Sequence, residues 1–194
     1  MVLVLCIGDL HVPHRAQDLP PKFKELLKPN KVDHILCCGN LCSKSLLEYL
    51  KGICADVKLV QGDFDDFEAP DQLVTQIGDI RVGVCHGHQV VPWGDKEALA
   101  ILQRQLDVDI LVTGHTHAFE VGARGTAVMY GERLQINPGS ATGAYSSLNA
   151  EVGPSFVLMD VDGAKATVYV YQLVDDAVKV EKIDYQKPGA PVTL

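Results

Sequence analysis

Two histidines spaced one residue apart, His115 and His117, stand directly after the apolar run of residues 109–113. Neutral imidazole is the commonest protein ligand of divalent metal ions. Gly114 allows the backbone to turn sharply before the first histidine, because glycine has no side chain to obstruct the turn. A His-x-His pair alone is weak evidence for a metal site, since such pairs are also common in loops and cores. Its meaning therefore depends on how the other apolar runs end.

Four earlier apolar runs, residues 2–7, 32–38, 57–60 and 80–85, end in residues of the same chemical kind. In chain order these residues are Asp9 with His11, Asn40, Asp63 and His86. Strand ends lie side by side in an α/β sheet, and ligand sites lie just outside them, so we expect these groups to meet His115 and His117. Two carboxylates, four imidazoles and an amide oxygen are enough to hold two divalent ions. Two such ions can clamp the attacking and leaving oxygens of a phosphate ester.

Ordinary turn formation or hydrogen bonding explains each of these residues singly. It does not explain why five separate runs all end in this way, so the sequence predicts a metal-type cluster. Three histidines, His14, His34 and His88, are left outside it. Of these, His88 is close enough to the cluster to support its ligands.

The composition describes an ordinary globular chain. Its 194 residues are 47% hydrophobic and 22% charged, which is typical of a single folded domain. The net charge of −8, without a block of lysines or arginines, argues against nucleic acid or anionic lipid as the main partner. Four of the six cysteines lie in or next to apolar runs, and no start resembling a secretory signal is present, so we predict a reduced, cytosolic protein without membrane insertion.

Alternation of strand and helix patterns in the first half predicts an α/β protein. Ser43 and Asp95 are predicted to cap two helices, and residues 73–77 and 80–85 to form a hairpin turned at Gly78 and Asp79. After residue 118 the pattern predicts an antiparallel meander, with strands at 119–121, 127–136, 155–161, 164–171 and 178–185. We therefore predict a sandwich of two mixed β-sheets flanked by helices. It forms one domain over residues 1–185, and residues 186–194 form a frayed tail.

The ordered motifs resemble those of the calcineurin-like metallophosphoesterases. They are Gly8-Asp9-Leu10-His11, Gly39-Asn40, Gly62-Asp63-Phe64-Asp65, His86-Gly87-His88 and Gly114-His115-Thr116-His117. Longer blocks are similar to the small subunits of the retromer complex, over nearly the whole chain. These blocks are residues 9–15, 86–89, 91–95, 102–105 and 154–160. The stretch 121–134 fits least well and is expected to carry a longer hairpin. The resemblance implies a metallophosphoesterase-like sandwich with a metal site formed by Asp9, His11, Asn40, Asp63, His86, His115 and His117.

Two residues depart from the catalytic pattern of that superfamily. Active members place a carboxylate that bridges both metals at the position of Asn40, and an amide supplies one useful oxygen and no charge. Asp63 stands where the family usually has Asn. It restores the number of carboxylates in the site, but its charge lies on one side of the metal pair and not between the two ions. Active members also place a histidine at the position of Phe64, where it protonates the leaving oxygen. A positioned general acid contributes about 10²–10⁴-fold to the rate.

Two functions remain open on these grounds, a non-catalytic scaffold and a weak or specialised di-metal phosphoesterase. We favour the scaffold, in which no residue is catalytic, because both departures oppose the same reaction step. A divalent ion, zinc or manganese, is then weakly bound and is not required. His88 stays open as a substitute acid in the second case.

The retromer resemblance implies protein partners and a location. Val91 and Trp93 would contact the large α-solenoid subunit, vacuolar protein sorting 35. Trp93 folding back as a core plug is the alternative, because an exposed loop tryptophan is costly in a monomer. Leu158 would belong to an apolar patch that recruits regulators of Rab GTPases, although the sequence pattern alone predicts a core strand residue. Recruitment from the cytoplasm to endosomal membranes follows from the same resemblance.

Overall fold

The computed structural model describes residues 1–117, 127–130, 132–149 and 152–189. Its elements are, in chain order, β1 (Val2–Ile7), α1 (Pro21–Leu26), β2 (His34–Cys37), α2 (Lys44–Ile53), β3 (Val57–Leu59), β4 (Gln72–Ile77), β5 (Ile80–Cys85), α3 (Lys96–Gln105), β6 (Ile110–Thr113), β7 (Ala127–Tyr130), β8 (Arg133–Ile136), β9 (Ser155–Asp162), β10 (Lys165–Val174) and β11 (Ala177–Gln186). The described helices include none that is long and apolar enough to cross a membrane.

The strands form two sheets, and both are mixed. Sheet A has the order β11-β10-β9-β1-β2-β3, in which β1, β2 and β3 are parallel and β9, β10 and β11 are antiparallel to their neighbours. Sheet B has the order β4-β5-β6-β8-β7, in which β5, β6 and β8 are parallel. The predicted α/β sandwich of two mixed sheets is thereby confirmed. The parallel strands are the ones that carry the predicted ligands at their ends.

Three apolar layers hold the sandwich together. The central core lies between the sheets, where Val4 and Met159 of sheet A meet Val82 and Ile110 of sheet B. A second layer on the outer face of sheet A packs α1 and α2 onto β1, β2 and β9. A third layer packs α3 onto β5 and β6. All six cysteines are free and buried, including the four that the sequence places in or next to apolar runs.

The segment after residue 118 departs from the predicted single meander. The run predicted as one strand over 127–136 is a hairpin, β7–β8, and it belongs to sheet B, where β8 pairs in parallel with β6. Strands β9, β10 and β11 do form an antiparallel meander, but they extend sheet A from β1. Alternating polarity predicts a strand without indicating which sheet it joins, and this accounts for the error. The strand predicted over 119–121 lies outside the described residues.

The C-terminal strand also runs further than predicted. Gln186 is the last residue of β11. The next residue, Lys187, is held by a backbone hydrogen bond and by an ion pair of its side chain. The Lys187 backbone N–H donates to the Ala164 carbonyl at 2.9 Å, and its ammonium group lies 2.9 Å from Asp109 of the other sheet. The tail predicted to fray from residue 186 is thus held through residue 187, and residues 190–194 lie outside the described part. The single-domain boundary of 1–185 stays a prediction.

Candidate metal centre

The predicted ligands lie on turns that follow β1, β2, β3, β5 and β6. Five of them have a positive φ, a conformation that costs a non-glycine residue of the order of 1 kcal/mol or more. The residues and angles are Asp9 (51°), His11 (49°), Asn40 (55°), His115 (70°) and His117 (50°). Such strain persists only where the surroundings enforce it, and it is concentrated at functional sites.

Six of the seven predicted ligands form two groups, each made of one carboxylate and two imidazoles. Within each group the ligand atoms all lie within 4.8 Å of one another. The first group is Asp9, His11 and His117, and the second is Asp63, His86 and His115. The His86 Nε2 atom lies 3.9 Å from Asp9 Oδ1, so the two groups adjoin. The geometry brings the predicted residues together, and metal binding by them stays a prediction.

Backbone carbonyls orient two of the imidazole rings. His86 Nδ1 donates to the Cys38 carbonyl at 2.6 Å, and His117 Nδ1 donates to the Ala144 carbonyl at 2.7 Å. Because a carbonyl only accepts, these bonds place a proton on Nδ1, so in the neutral ring the Nε2 lone pair faces the site. Asp9 is oriented in the same way, since its Oδ2 accepts from the His115 backbone N–H at 2.8 Å and its Oδ1 faces the histidines.

The charge states of His11 and Asp63 at neutral pH suit metal ligation. Burial lowers the pKa of His11 to about 4, against the opposing attraction of Asp9, so the ring is neutral. Burial opposes ionisation of Asp63, but hydrogen bonds from His115, His86 and Asn40 outweigh it and hold the pKa of this carboxyl well below its usual range. Burial would also lower the pKa of His86, but Asp63 and Asp9 raise it above the usual value, so an ion bound there would replace a proton on this ring. Neutral imidazole and carboxylate are the ligands that zinc and manganese accept, so the residues fit such an ion.

The seventh predicted ligand, Asn40, lies between the two groups and is buried. Its amide nitrogen is 3.0 Å from Asp63 Oδ1 and 3.3 Å from Asp9 Oδ1. Its amide oxygen accepts from the Phe64 backbone N–H at 2.9 Å. The amide thus directs its donor, not its acceptor, towards the other ligands.

Phe64 lies at the rim of the site, where active relatives are expected to have a histidine. Its side chain is 50% exposed. One side contacts the His11 ring, with centroids 5.4 Å apart, and the Arg15 guanidinium carbon lies 4.4 Å from the ring centroid. This position therefore carries an apolar ring and a neighbouring cation, but no transferable proton.

A cleft of about 350 Å³ opens over the two groups. Its lining is partly polar and partly aromatic, and consists of His11, Arg15, Asn40, Asp63, Phe64, Trp93, His115, His117 and residues 145–148. His88 is not among the described residues of this lining. Its ring packs against those of His86 and His115, with centroids 5.3 and 6.2 Å apart, and burial lowers its pKa. The position of His88 therefore favours support of the ligands over proton donation.

The loop between β5 and α3 projects beside this cleft. Val91 is 74% exposed and Trp93 is 51% exposed. Trp93 is anchored along one edge, because its Nε1–H donates to the His88 carbonyl at 2.9 Å and its ring stands edge-on to His115 with centroids 4.7 Å apart. The alternative of a core plug is wrong, because half of the indole faces solvent.

Leu158 lies on the outer face of sheet A, in β9. It is only partly buried, whereas its neighbour Met159 points into the central core and is fully buried. Leu158 and further partly buried apolar side chains, among them Leu3, Tyr171, Leu173 and Val178, pack against the same outer layer of sheet A. The pattern-based expectation of a core strand residue holds for the strand and in part for the burial, because Leu158 packs against the outer core layer and keeps part of its side chain exposed.

One important residue was not predicted as part of the site. The Asp65 carboxylate accepts three backbone N–H groups, from Asn40 at 2.8 Å, Cys42 at 2.9 Å and Gly62 at 2.9 Å. These bonds join the turn after β2 to the turn after β3, and so position Asn40 and Asp63 together. Its place in the Gly-Asp-x-Asp motif was the available signal, but a second carboxylate two residues on is also common in ordinary turns.

This sandwich, with paired carboxylate–histidine groups at its parallel strand ends, defines a calcineurin-like phosphoesterase. The model of the calcineurin-like phosphoesterase superfamily domain matches residues 2–164. The chain is 47% identical over 192 residues to vacuolar protein sorting-associated protein 29 of Schizosaccharomyces pombe, covering 96% of this chain and all of that one. It therefore belongs, within that superfamily, to the family of vacuolar protein sorting-associated protein 29.

Two solved structures agree with this assignment. The protein of the same name from Cryptosporidium parvum is 42% identical and has a TM-score of 0.90, over 96% of this chain and 98% of that one. The wild-type protein of Entamoeba histolytica, crystallised as a zinc complex, is 48% identical and has a TM-score of 0.86, over 94% of this chain and 98% of that one. Zinc binding is a property of that relative.

Proposed function

We propose that this protein is the small, non-catalytic subunit of a retromer complex. In this role it binds the large α-solenoid subunit, vacuolar protein sorting 35, and regulators of Rab GTPases. It acts in the cytoplasm and is recruited as part of the complex to endosomal membranes, where cargo is sorted towards the Golgi. Membership of the vacuolar protein sorting-associated protein 29 family supports the proposal.

The orientation of Asn40, together with the identity of residue 64, carries the non-catalytic assignment. Transfer of a phosphoryl group between two ions needs a negative bridging ligand and an acid for the leaving oxygen. Here the bridging position presents an NH₂ group, and the acid position presents a half-exposed phenyl ring. Two separate requirements of the same step are therefore missing.

The second candidate function is a weak or specialised di-metal phosphoesterase. The two complete carboxylate–histidine groups and the cleft above them favour it. We place it second because neither Phe64 nor His88 is suited to donate a proton to a substrate in this cleft. A divalent ion, zinc or manganese, fits the donor set, but Asn40 supplies no charge between two cations. We therefore propose that the ion binds weakly and that the scaffold function does not need it.

The exposed loop that carries Val91 and Trp93 is proposed as the contact for the α-solenoid. A large exposed aliphatic side chain beside an aromatic one held along one edge is typical of an interface anchor. The partly exposed outer face around Leu158 is proposed as the separate surface for Rab-GTPase regulators. The first surface lies beside the metal-type groups at the strand ends, and the second lies on the outer face of sheet A.

Substitution of one surface at a time tests both assignments. Val91→Asp places a charge in the proposed interface and is expected to weaken binding of the α-solenoid subunit at least 100-fold by calorimetry, about 3 kcal/mol. The protein should stay folded, because Val91 is 74% exposed. Leu158→Asp is the matched control, and it should leave solenoid binding unchanged while it removes binding of the regulator.

Unchanged solenoid affinity in Val91→Asp would remove this loop from the interface. The scaffold function itself is contradicted by a different result. This is hydrolysis of a phosphodiester at ordinary enzymatic rates by the zinc- or manganese-loaded protein, with loss of that activity in His86→Ala.

A further inference from the structure

The two ends of the Asn40 amide face different environments. Its oxygen accepts from the backbone N–H of Phe64 at 2.9 Å. An N–H group only donates, so this contact identifies the oxygen end of the amide. The nitrogen end therefore points towards the carboxylates and imidazoles of the candidate metal centre.

The amide nitrogen lies within 3.4 Å of ligand atoms from both groups. It is 3.0 Å from Asp63 Oδ1 and 3.0 Å from His86 Nε2 in one group. In the other group it is 3.3 Å from Asp9 Oδ1 and 3.4 Å from His11 Nε2. Carboxylate oxygens carry lone pairs and negative charge, and when they are buried they need a donor or a cation beside them. The two amide protons supply that donor at the point where the groups adjoin.

The surroundings hold the amide in this orientation. Asn40 is 1% exposed, and its own backbone N–H donates to Asp65 at 2.8 Å. Gly62 allows the close approach, because a Cβ at that position would lie 2.2 Å from Asn40 Oδ1. Turning the amide over would set its NH₂ group against the N–H of Phe64, and two donors facing each other leave both unsatisfied.

We propose that the Asn40 amide serves in place of a metal ion in holding this site together. It joins the two carboxylate–histidine groups by hydrogen bonds, so the strand-end turns keep their arrangement without metal. This inference rests on the proposed scaffold function, in which the turn that carries His115 must stay in position because Trp93 packs against it. Asp9, Asp63 and His86 then offer acceptors to the Asn40 amide, and this geometry does not require catalysis.

Asn40→Asp tests the proposal, because it exchanges the donor for a negatively charged acceptor of nearly the same shape. With EDTA present, the wild-type protein is expected to keep its melting temperature. Under the same conditions Asn40→Asp is expected to melt roughly 10 °C lower, because three carboxylates, those of residues 9, 40 and 63, then face one another and two of them are buried. Zinc should restore most of that loss and bind at least tenfold more tightly than to the wild type, because a bridging carboxylate is again available.

Asn30→Asp is the matched control. It makes the same chemical change at an exposed residue that also has a positive φ, and it should melt within about 2 °C of the wild type with or without zinc. If Asn40→Asp does not fold in EDTA, Asn40→Ala removes the amide without adding charge. That variant should still melt several degrees below the wild type, since the hydrogen bonds of the amide with Phe64, Asp63 and Asp9 are lost.

Two results would overturn the proposal. One is a wild-type melting temperature that falls in EDTA as far as that of Asn40→Asp, which would show that an ion holds the groups together. The other is an Asn40 variant as stable in EDTA as the wild type. Solenoid binding is measured separately on Val91→Asp, so failure of this inference is distinguishable from failure of the scaffold function.

Discussion

At the scale of single residues, the site depends on side chains that never face the cleft. Asp65 receives three backbone N–H groups and fixes two turns at once, and the carbonyls of Cys38 and Ala144 select the ring tautomers of His86 and His117. The seven residues of the cluster were predictable from the sequence because each lies within four residues of the end of an apolar run. The contacts that support them were not predictable from the sequence. They join residues that come close only through the way in which the turns after different strands cross.

Asp65 offers a test of this support. Asp65→Ala leaves three buried N–H groups without their acceptor, and it is expected to destabilise the protein by about 2–4 kcal/mol. Chemical denaturation would measure the loss. Asp66→Ala is the control, because its exposed carboxylate should contribute less than about 0.5 kcal/mol. Equal effects of the two substitutions would contradict the role assigned to Asp65.

At the scale of elements, the helix caps and the hairpin turn lie where the local sequence predicts them. Ser43 accepts from the Ser45 N–H and Asp95 from the Ala98 N–H, as expected of the N-caps of α2 and α3. The β4–β5 hairpin turns at Gly78, whose φ of 57° suits glycine. The assignment of β7 and β8 to sheet B could not be predicted from the sequence. Strand pairing depends on residues far apart in the chain, and no local pattern indicates it.

The cap of α3 also closes the loop that carries Val91 and Trp93, since the Asp95 N–H donates to the Pro92 carbonyl at 3.1 Å. Asp95→Ala keeps that backbone bond and removes the side-chain bond to the Ala98 N–H. It is expected to lower the free energy of unfolding by about 1 kcal/mol and to weaken solenoid binding several-fold, because fraying of the first turn of α3 loosens the end of the loop. Asp95→Asn should keep both properties. Ser43→Ala at the start of α2 is the control, with a similar stability loss but unchanged binding. Calorimetric binding and thermal melting of the three variants measure these effects.

At the scale of the whole molecule, one sandwich presents two separate faces. The strand-end side carries the metal-type groups and the exposed loop, and the outer face of sheet A carries the patch around Leu158. The fold class was predictable, because continuous apolar runs indicate buried parallel strands. The partial exposure of Leu158 was not predictable from the sequence. A strand has the same alternating pattern whether or not a helix covers the outer face of its sheet.

Two adjacent residues of β9, Leu158 and Met159, lie on opposite faces of sheet A and are expected to contribute differently to stability. Met159 is fully buried between the sheets, and Met159→Ala is expected to cost about 2–5 kcal/mol, because it leaves a cavity in the central core. Leu158→Ala, one residue earlier and on the partly exposed face, should cost less than half as much. Denaturant unfolding of the pair measures the difference, and a larger loss for Leu158→Ala would contradict the described packing.

The edge-on position of Trp93 has an optical consequence. It is the single tryptophan of the chain, so the indole emission of the purified protein comes from one residue at the proposed docking loop. Half of its ring is in water, and the other side touches His115. Covering the ring would move its emission to shorter wavelengths, and a paramagnetic or heavy ion on His115 would quench it. The protein thus carries one native fluorophore that distinguishes docking of a partner from loading of an ion.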